Sequence, residues 1–414
     1  MKKIAIVLLS TVVCGTLASA KIVQTFEPAK DTSVFTAPTI GWNADLTFNY
    51  QGLDQNYDLF GKTGEVTLQP GLSLPTANFD VNAKVMSGFN VKLETMFSSH
   101  HHNETYVKGG YATIDNLDFI VPGFASDFMQ NATIKVGVDD INFGDDQFRR
   151  TDNADVMRNP FIHNMGVEAY MQAPHIEVLY RLPANTFVMV GITNGQVNPD
   201  DVTAVDRNST SGSSNRPGLY GKVGFDSQIN DDLRVRLTES VYTVHGTNKG
   251  SSLYSGDKAG TPSRKIFDDG TDTDFGALWN ALSGFSDLTV SKTNFFTRYQ
   301  DTELYAMFEI ADGADAKGVD MAMNHYAVDL VQRFHNDKFY AAARYEKAKL
   351  DYKEATNDLG DAEMTQWQVG LGWFLSKNAV AKLEYIDHER TNNSSFVGGT
   401  ADFKGYMIST ALTF

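Results

Sequence analysis

Cysteine is almost absent from this chain of 414 residues, and the one that is present lies close to its start. Residues 1–20, MKKIAIVLLSTVVCGTLASA, place two lysines before an apolar run and close on small residues. This is the pattern of a secretory signal peptide cleaved after Ala20. Val13 precedes Cys14 at the position where a lipoprotein signal needs a small residue, so we favour cleavage after Ala20 over lipoprotein processing at Cys14. The mature chain would therefore enter an oxidising compartment without a cysteine to form a disulfide.

Long apolar runs and an excess of positive charge are also lacking. No segment after residue 20 approaches the ~20 apolar residues that a transmembrane helix needs. Lysine and arginine total 35 against 51 acidic residues, and the net charge of −16 argues against nucleic acid as a partner. Proline is scarce, with 11 residues, whereas 34 glycines, 27 phenylalanines and 17 tyrosines are present. This composition fits an all-β chain rich in aromatic residues.

An alternating pattern fills the remaining sequence and is clearest at the C-terminus. One face of the last strand carries Tyr406, Ile408, Thr410, Leu412 and Phe414, which are apolar or aromatic except for Thr410. A terminal Phe that closes such a strand resembles the assembly signal of bacterial outer-membrane barrels. One alternating strand would also fit a soluble sandwich. Many strands of roughly ten residues, in a chain without disulfides, favour a barrel with a wet interior.

The predicted strands number about sixteen, an even number as bacterial single-chain barrels require, although fourteen or eighteen would also fit. Short turns alternate with long polar connections, which is typical of a transmembrane barrel with short periplasmic turns and long outer loops. Asn116–Gln130 is an exception, because it is long where a short turn is expected. Strands are predicted near 403–414, 378–390, 364–375, 338–349, 325–334, 304–311, 290–301, 233–244, 217–227, 185–193, 166–182, 131–142, 104–115, 89–98 and 76–86, with one more near 44–50 or 62–70.

These patterns divide the chain into three regions. We predict a signal peptide at 1–20, an N-terminal periplasmic segment at 21–43, and a transmembrane antiparallel β-barrel at 44–414. A barrel of about 16 strands encloses an aqueous channel, whereas one of eight strands would be filled by side chains. The sequence therefore predicts a channel in outer-membrane lipid for passive diffusion of small hydrophilic solutes and ions.

The polar segment from Gly144 to Met165 is the third outer loop in this count, and we predict that it folds inward and narrows the channel. Its arginines and opposing carboxylates would set a strong transverse field in a narrow passage. An ordinary solvated outer loop is the alternative. The residues predicted to form the pore constriction are Asp145, Asp146, Arg149, Arg150, Asp152, Asp155 and Arg158.

Alternation also assigns charged side chains of the strands to the lumen wall. Those predicted to line it include Lys135, Asp139, Arg181, Lys222, Arg234, Arg236, Arg298, Arg333 and Arg344. Arg234 and Arg236 share one face of one strand and are the best wall candidates for an anion track. The two signs nearly balance over the whole wall, so the residues leave the choice between anions and cations open.

The stretch DDINFGDDQFRRTDNADVMRNPFIHN, residues 139–164, resembles the segment that phosphate-selective porins of the O/P family and related Gram-negative porins carry after such a strand. The resemblance covers about thirty residues well, and GITNGQ at 191–196 adds weaker support. It implies an outer-membrane diffusion channel, commonly a homotrimer, that often passes anions such as phosphate.

Three other functions are weighed against a channel. An outer-membrane hydrolase would need a nucleophile with an orienting histidine, and no G-x-S-x-G motif is present, so we predict neither an enzyme nor a cofactor. His100-His101-His102 would place at most two ligands on one face, and Asp268–Asp274 lacks the spacing of a calcium loop, so no metal site is predicted. A structural or adhesive barrel is the stronger alternative, because the polar loops at 194–216 and 245–289 are large enough to bind a partner.

Overall fold

The computed structural model describes residues 24–59, 62–67, 70–97, 105–152, 155–194, 217–245, 253–254, 278–279, 285–315, 319–352, 361–391 and 400–414. Most of the regular structure in these ranges is β-strand. The strands are β1 (Thr39–Leu59), β2 (Lys62–Thr67), β3 (Gly71–Met86), β4 (Phe89–Phe97), β5 (Thr105–Ile114), β6 (Ala132–Asp140), β7 (Gln172–Leu182), β8 (Thr186–Thr193), β9 (Gly218–Gln228), β10 (Leu233–Val244), β11 (Phe285–Tyr299), β12 (Thr302–Asp315), β13 (Asp320–Phe334), β14 (Phe339–Tyr352), β15 (Ala362–Ser376), β16 (Ala379–Thr391) and β17 (Thr400–Thr413).

The sheet closes on itself through its first and last strands. All its pairings are antiparallel, and β1 pairs with β3 along one edge and with β17 along the other, with Trp42 opposite Val81 and Tyr50 opposite Ile408. The short β2 pairs with the far end of β1, beyond the part that pairs with β3, so the ring contains sixteen strands. The prediction of an antiparallel barrel of about 16 strands is confirmed.

The two faces of the barrel differ as the alternation predicted. On β15, Trp367, Val369 and Leu371 are more than half exposed, whereas Gln366 and Gln368 at the alternate positions are fully buried. An ordinary soluble protein buries its large apolar side chains and exposes its polar ones, and this barrel does the reverse. The apolar outer face is therefore compatible with a lipid environment, and the inner face carries the polar and charged groups.

The predicted strand at 166–182 is only partly correct, because β7 begins at Gln172. The preceding residues leave the sheet and contact the inner face instead. The N–H groups of Gly166 and Val167 donate to the Glu346 carboxylate at 2.8 and 3.0 Å. A charged acceptor thus replaces the neighbouring strand as their hydrogen-bond partner, which the alternating pattern of this stretch could not reveal.

One end of the barrel carries the short turns. Ala184 and Asn185 both have positive φ, the geometry of a tight type I′ hairpin. The long connection predicted at Asn116–Gln130 lies at this same end and contains α1 (Ser126–Met129), whose Phe128 stacks on Tyr180 of the outer face at 5.3 Å. Within the described ranges, no helix is long and apolar enough to cross a membrane.

Candidate functional site

The charged segment between β6 and β7 contacts the inner face of the barrel at several separate strands. It contains two short 3-10 helices, Asp146–Arg149 and Asp155–Met157. Gly144 opens the segment with a φ of +72°, and a Cβ there would lie 2.7 Å from the Lys292 side chain. Glycine suits both this backbone conformation and this close approach, because it has no Cβ. The turn brings the following carboxylates against the strand wall.

Asp145 bonds to the basic side chains of β9 and β10. It accepts hydrogen bonds from Arg236 at 2.8 Å through each oxygen, and from Lys222 at 3.1 Å. Thr238 donates a further bond at 2.9 Å. Burial alone would raise the pKa of Asp145, but the Lys222 ammonium and the Arg236 guanidinium outweigh it and hold the pKa below its usual range. Asp145 is therefore an anionic anchor of the segment.

Asp146 bonds to β11, where it pairs with Lys292 at 3.1 Å. Lys292 also pairs with Glu309 of β12 at 2.8 Å and is almost completely buried. We did not select Lys292 from the sequence. Its position, six residues before Arg298 on the same strand, places it on the same face by the period-two rule, so the signal was present.

Arg149 and Arg344 share one carboxylate on β13. Asp329 accepts from Arg344 at 2.6 and 2.8 Å and from Arg149 at 3.3 Å, and all three groups are buried. The Arg344 guanidinium also lies 4.4 Å from the ring centre of Phe161 in the second half of the segment. This cluster links the segment to the opposite side of the barrel from β6.

Arg150 and Asp152 form a second buried group near β5. Arg150 pairs with Glu168 and lies 3.8 Å from the ring centre of Tyr170, and Asp152 pairs with Lys108 at 2.8 Å. Lys108 was missed by sequence reasoning. A register shift between β4 and β5 skips this residue and reverses the alternation, so Lys108 points inward although Tyr111 and Thr113, at odd positions of the same strand, also face the interior.

The second half of the segment is bonded to β16. The Glu384 carboxylate accepts from the N–H of Ile162 at 2.6 Å and contacts Nδ1 of His163 at 2.5 Å. The Lys382 ammonium donates to the backbone carbonyls of Val156 at 2.5 Å and Asn159 at 2.7 Å. A carboxylate and an ammonium of one strand thus satisfy both kinds of backbone group in the segment.

Asp155 and Arg158 differ from the other predicted constriction residues because they pair with each other rather than with the wall. Their side chains meet at 2.6 Å, and Arg158 remains 31% exposed. Burial raises the pKa of Asp155 to about 7 with the help of the neighbouring Asp152 carboxylate, and the Arg158 guanidinium opposes this rise. The charge of Asp155 therefore changes near neutral pH.

Among the residues predicted to line the lumen wall, the cations lie close to acidic or backbone acceptors. Lys135 pairs with Asp139, and Arg181 donates to the Pro28 carbonyl at 2.7 Å. Ion pairs also join Arg234 to Asp226, Arg298 to both Glu303 and Asp337, and Arg333 to Glu303. Most of the wall charge is therefore neutralised locally.

A cavity of about 210 Å³ lies between the segment and the wall formed by β4 to β7. Its charged lining comprises Glu27, Lys92, Glu94, Lys135, Asp139, Asp140, Asp155, Glu177 and Arg181. Arg149, Arg150 and Asp146 are not among the side chains that line it. The space is large enough for several water molecules and is surrounded by groups that hydrate ions.

The positions considered for metal binding add little to this site. His100-His101-His102 and Asp268–Asp274 lie outside the described residues. Elsewhere, in the ranges given above, no group of three or more histidine, cysteine or acidic side chains has the geometry to hold a metal ion.

Comparisons with known proteins give structural matches only. No protein-family model matches the chain, and a search of the curated proteins also finds no match. The outer membrane channel DcaP of Acinetobacter baumannii is 11% identical, with a TM-score of 0.56 over 91% of this chain and 98% of that chain. In-vitro folded OmpT of Vibrio cholerae, in its trimer form, is 14% identical, with a TM-score of 0.51 over 92% of this chain and 100% of that chain. The anion-selective porin from Comamonas acidovorans is 11% identical, with a TM-score of 0.50 over 91% of this chain and 100% of that chain. These similarities show that the chain has the fold of Gram-negative outer-membrane porins.

Proposed function

We propose that this protein is an outer-membrane porin, a water-filled channel for passive diffusion of small hydrophilic solutes and ions. The observation that carries the proposal is the charged cavity between the segment and the wall, inside a closed barrel whose outer face is apolar. Fixed charges around a narrow aqueous space discriminate between permeating ions by sign and by size. The protein has no catalytic role in this proposal.

In this proposal, residues 141–171 between β6 and β7 narrow the channel, and we call them the constriction segment. Their side chains and backbone bond to β10 through Arg236, to β13 through Asp329 and to β16 through Glu384. These strands are distant from one another around the ring. A segment that reaches all of them must cross the interior, which supports the inward folding predicted from the sequence over a solvated outer loop.

The charge of the passage argues for a general channel rather than a phosphate-specific one. The cavity is lined by six carboxyl groups and three cations, so it carries no excess of positive charge. Arg149 and Arg150 are each 3% exposed and pair with Asp329 and Glu168, so they present little charge to a passing solute. We therefore propose that the channel is not specific for anions.

Export and assembly complete the proposal. The signal peptide at 1–20 directs the chain across the inner membrane, and the apolar outer face then inserts into outer-membrane lipid. A homotrimer is proposed because OmpT of Vibrio cholerae, which has this fold, is described in a trimer form. Native-state mass measurement of the detergent-extracted protein tests this assembly, and a monomer as the main species would contradict it.

Single-channel recording in planar bilayers tests the function. Folded protein is expected to give discrete, long-lived conductance steps in potassium chloride, and heat-denatured protein from the same preparation is the control. Folding is checked by the faster gel migration of the unheated barrel. A folded barrel that gives no conductance would remove the channel and favour the structural or adhesive alternative.

A further inference from the structure

Residues 24–31, at the N-terminal side of β1, contact the inner face of the barrel instead of extending away from it. Gln24 donates to the Phe148 carbonyl at 2.9 Å, and its own carbonyl accepts from Arg234 at 2.6 Å. At the other end, Asp31 pairs with Lys84 at 2.9 Å. We call residues 24–31 the N-terminal strap. It runs from the short-turn end of the barrel to the first helical turn of the constriction segment.

Phe26 gives the strap an apolar attachment deep in the barrel. Its side chain is 7% exposed, and its ring centre lies 5.4 Å from that of Phe296 and 5.8 Å from that of Phe148. The Arg236 guanidinium lies 4.1 Å from the same ring, within reach of a cation–π interaction. This burial and these contacts indicate a specific docking site for the strap.

Glu27 supplies the charge of the strap. Its carboxylate pairs with Arg236 at 2.8 Å and with Lys222 at 3.3 Å, and its side chain is 9% exposed. The group around it contains three cations and three anions, namely Lys222, Arg234, Arg236, Asp145, Asp226 and Glu27. The group is neutral with Glu27 in place and carries one net positive charge without it.

We propose that the N-terminal strap is a tethered internal counter-anion of the channel, in which Glu27 completes the neutralisation of the Lys222–Arg236 pair beside Asp145 and excludes small inorganic anions from it. The inference rests on the proposed channel function and adds the element that suppresses its anion preference. Glu27 also lines the cavity, so its charge lies on the proposed ion path. The strap lies inside the barrel in this proposal, in place of the periplasmic location expected for residues 21–43.

Reversal potentials in a potassium chloride gradient test the charge role. Glu27→Gln keeps the shape of the side chain and removes its charge. The ratio of chloride to potassium permeability should rise roughly twofold to tenfold, because a unit charge within a Debye length of the path is only partly screened. Asp127→Asn is the matched control, since it makes the same charge change at an exposed position of α1 and should leave the ratio unchanged. Equal ratios for the wild type and both variants would overturn the counter-anion role.

Thiol labelling tests the position of the strap without relying on conductance. In a Cys14→Ser background the chain has no other cysteine. Thr25→Cys introduces a thiol on the strap, and Val34→Cys places one at a residue that is 87% exposed. A small maleimide should label both variants, and a bulky polymer-linked maleimide should label only Val34→Cys until the protein is unfolded. Equal labelling by the bulky reagent would overturn the internal strap, whereas a non-conducting wild type would refute only the channel function.

Discussion

Replacement of Asp145 by asparagine should release the first half of the constriction segment from the wall. The substitution keeps the size of the side chain but removes the charge that faces Lys222 and Arg236. One acceptor oxygen becomes an amide that can no longer accept a bond from Arg236. Because the side chains of all three residues are at most 1% exposed, water cannot replace the lost acceptor.

The size of the effect follows from the burial of this group. Removing one partner of a buried ion pair costs about 3–5 kcal/mol. Glu27 and Asp226 still lie next to Arg236, so the lower end, about 3 kcal/mol, applies. Each 1.4 kcal/mol is a factor of ten in an equilibrium constant, so the segment should open about 100-fold more often.

Amide hydrogen exchange followed by mass spectrometry measures this opening. Peptides covering residues 144–152 should exchange about 100-fold faster in Asp145→Asn, because exchange of a protected amide tracks its opening free energy. Peptides from β15 should not change, since that strand does not contact Asp145. Asp127→Asn serves again as the charge-matched control. Unchanged exchange at 144–152 would refute the view that this ion pair anchors the segment.

Three further predictions concern the same segment. Because the pKa of Asp155 is raised to about 7, lowering the pH from 8 to 6 neutralises its carboxylate. The cation permeability, measured from the reversal potential, should therefore fall, and Asp155→Asn should abolish this pH dependence. Arg158→Gln should shift the reversal potential toward cations, because the Arg158 side chain is substantially exposed. Arg149 is buried, so Arg149→Gln should lower the thermal stability without a comparable shift in reversal potential. Equal shifts in the two variants would contradict this difference. Glu384→Ala removes the acceptor of two backbone N–H groups, and each buried group left without a partner costs about 1–3 kcal/mol of stability. The loosened segment should raise the current noise in single-channel records, and unchanged noise would contradict the role of Glu384 as an anchor.

The barrel was predictable because its pattern is local. Two-residue alternation requires only neighbouring positions, and it assigned side chains such as Arg236 and Arg344 to the inner face, where both are buried. The same rule failed where the ladder itself is irregular. The register shift beside Lys108 turns that side chain to the opposite face from the one that alternation predicts, and a single sequence does not mark such a shift.

The partners of the charges were not predictable. Arg149 pairs with Asp329, 180 positions later, and Ile162 with Glu384, 222 positions later. Composition and spacing show that a loop is charged, but not which wall residue it meets, because this depends on the curvature of the closed ring. The N-terminal strap was missed for a related reason. It has no strand period and bonds largely through backbone groups and single side chains, which leave no pattern in the sequence.

The bonds from the constriction segment to β10, β13 and β16 also have a mechanical consequence. A hollow cylinder of hydrogen-bonded strands resists stretching along its strands, but it flattens into an oval easily, because bending at each strand pair breaks no hydrogen bond. Ties that join distant points of the circumference act as spokes and oppose this flattening. The cross-section should therefore stay nearly constant when bilayer tension changes. The width of the passage should depend on the bonds to β10, β13 and β16 more than on the surrounding lipid.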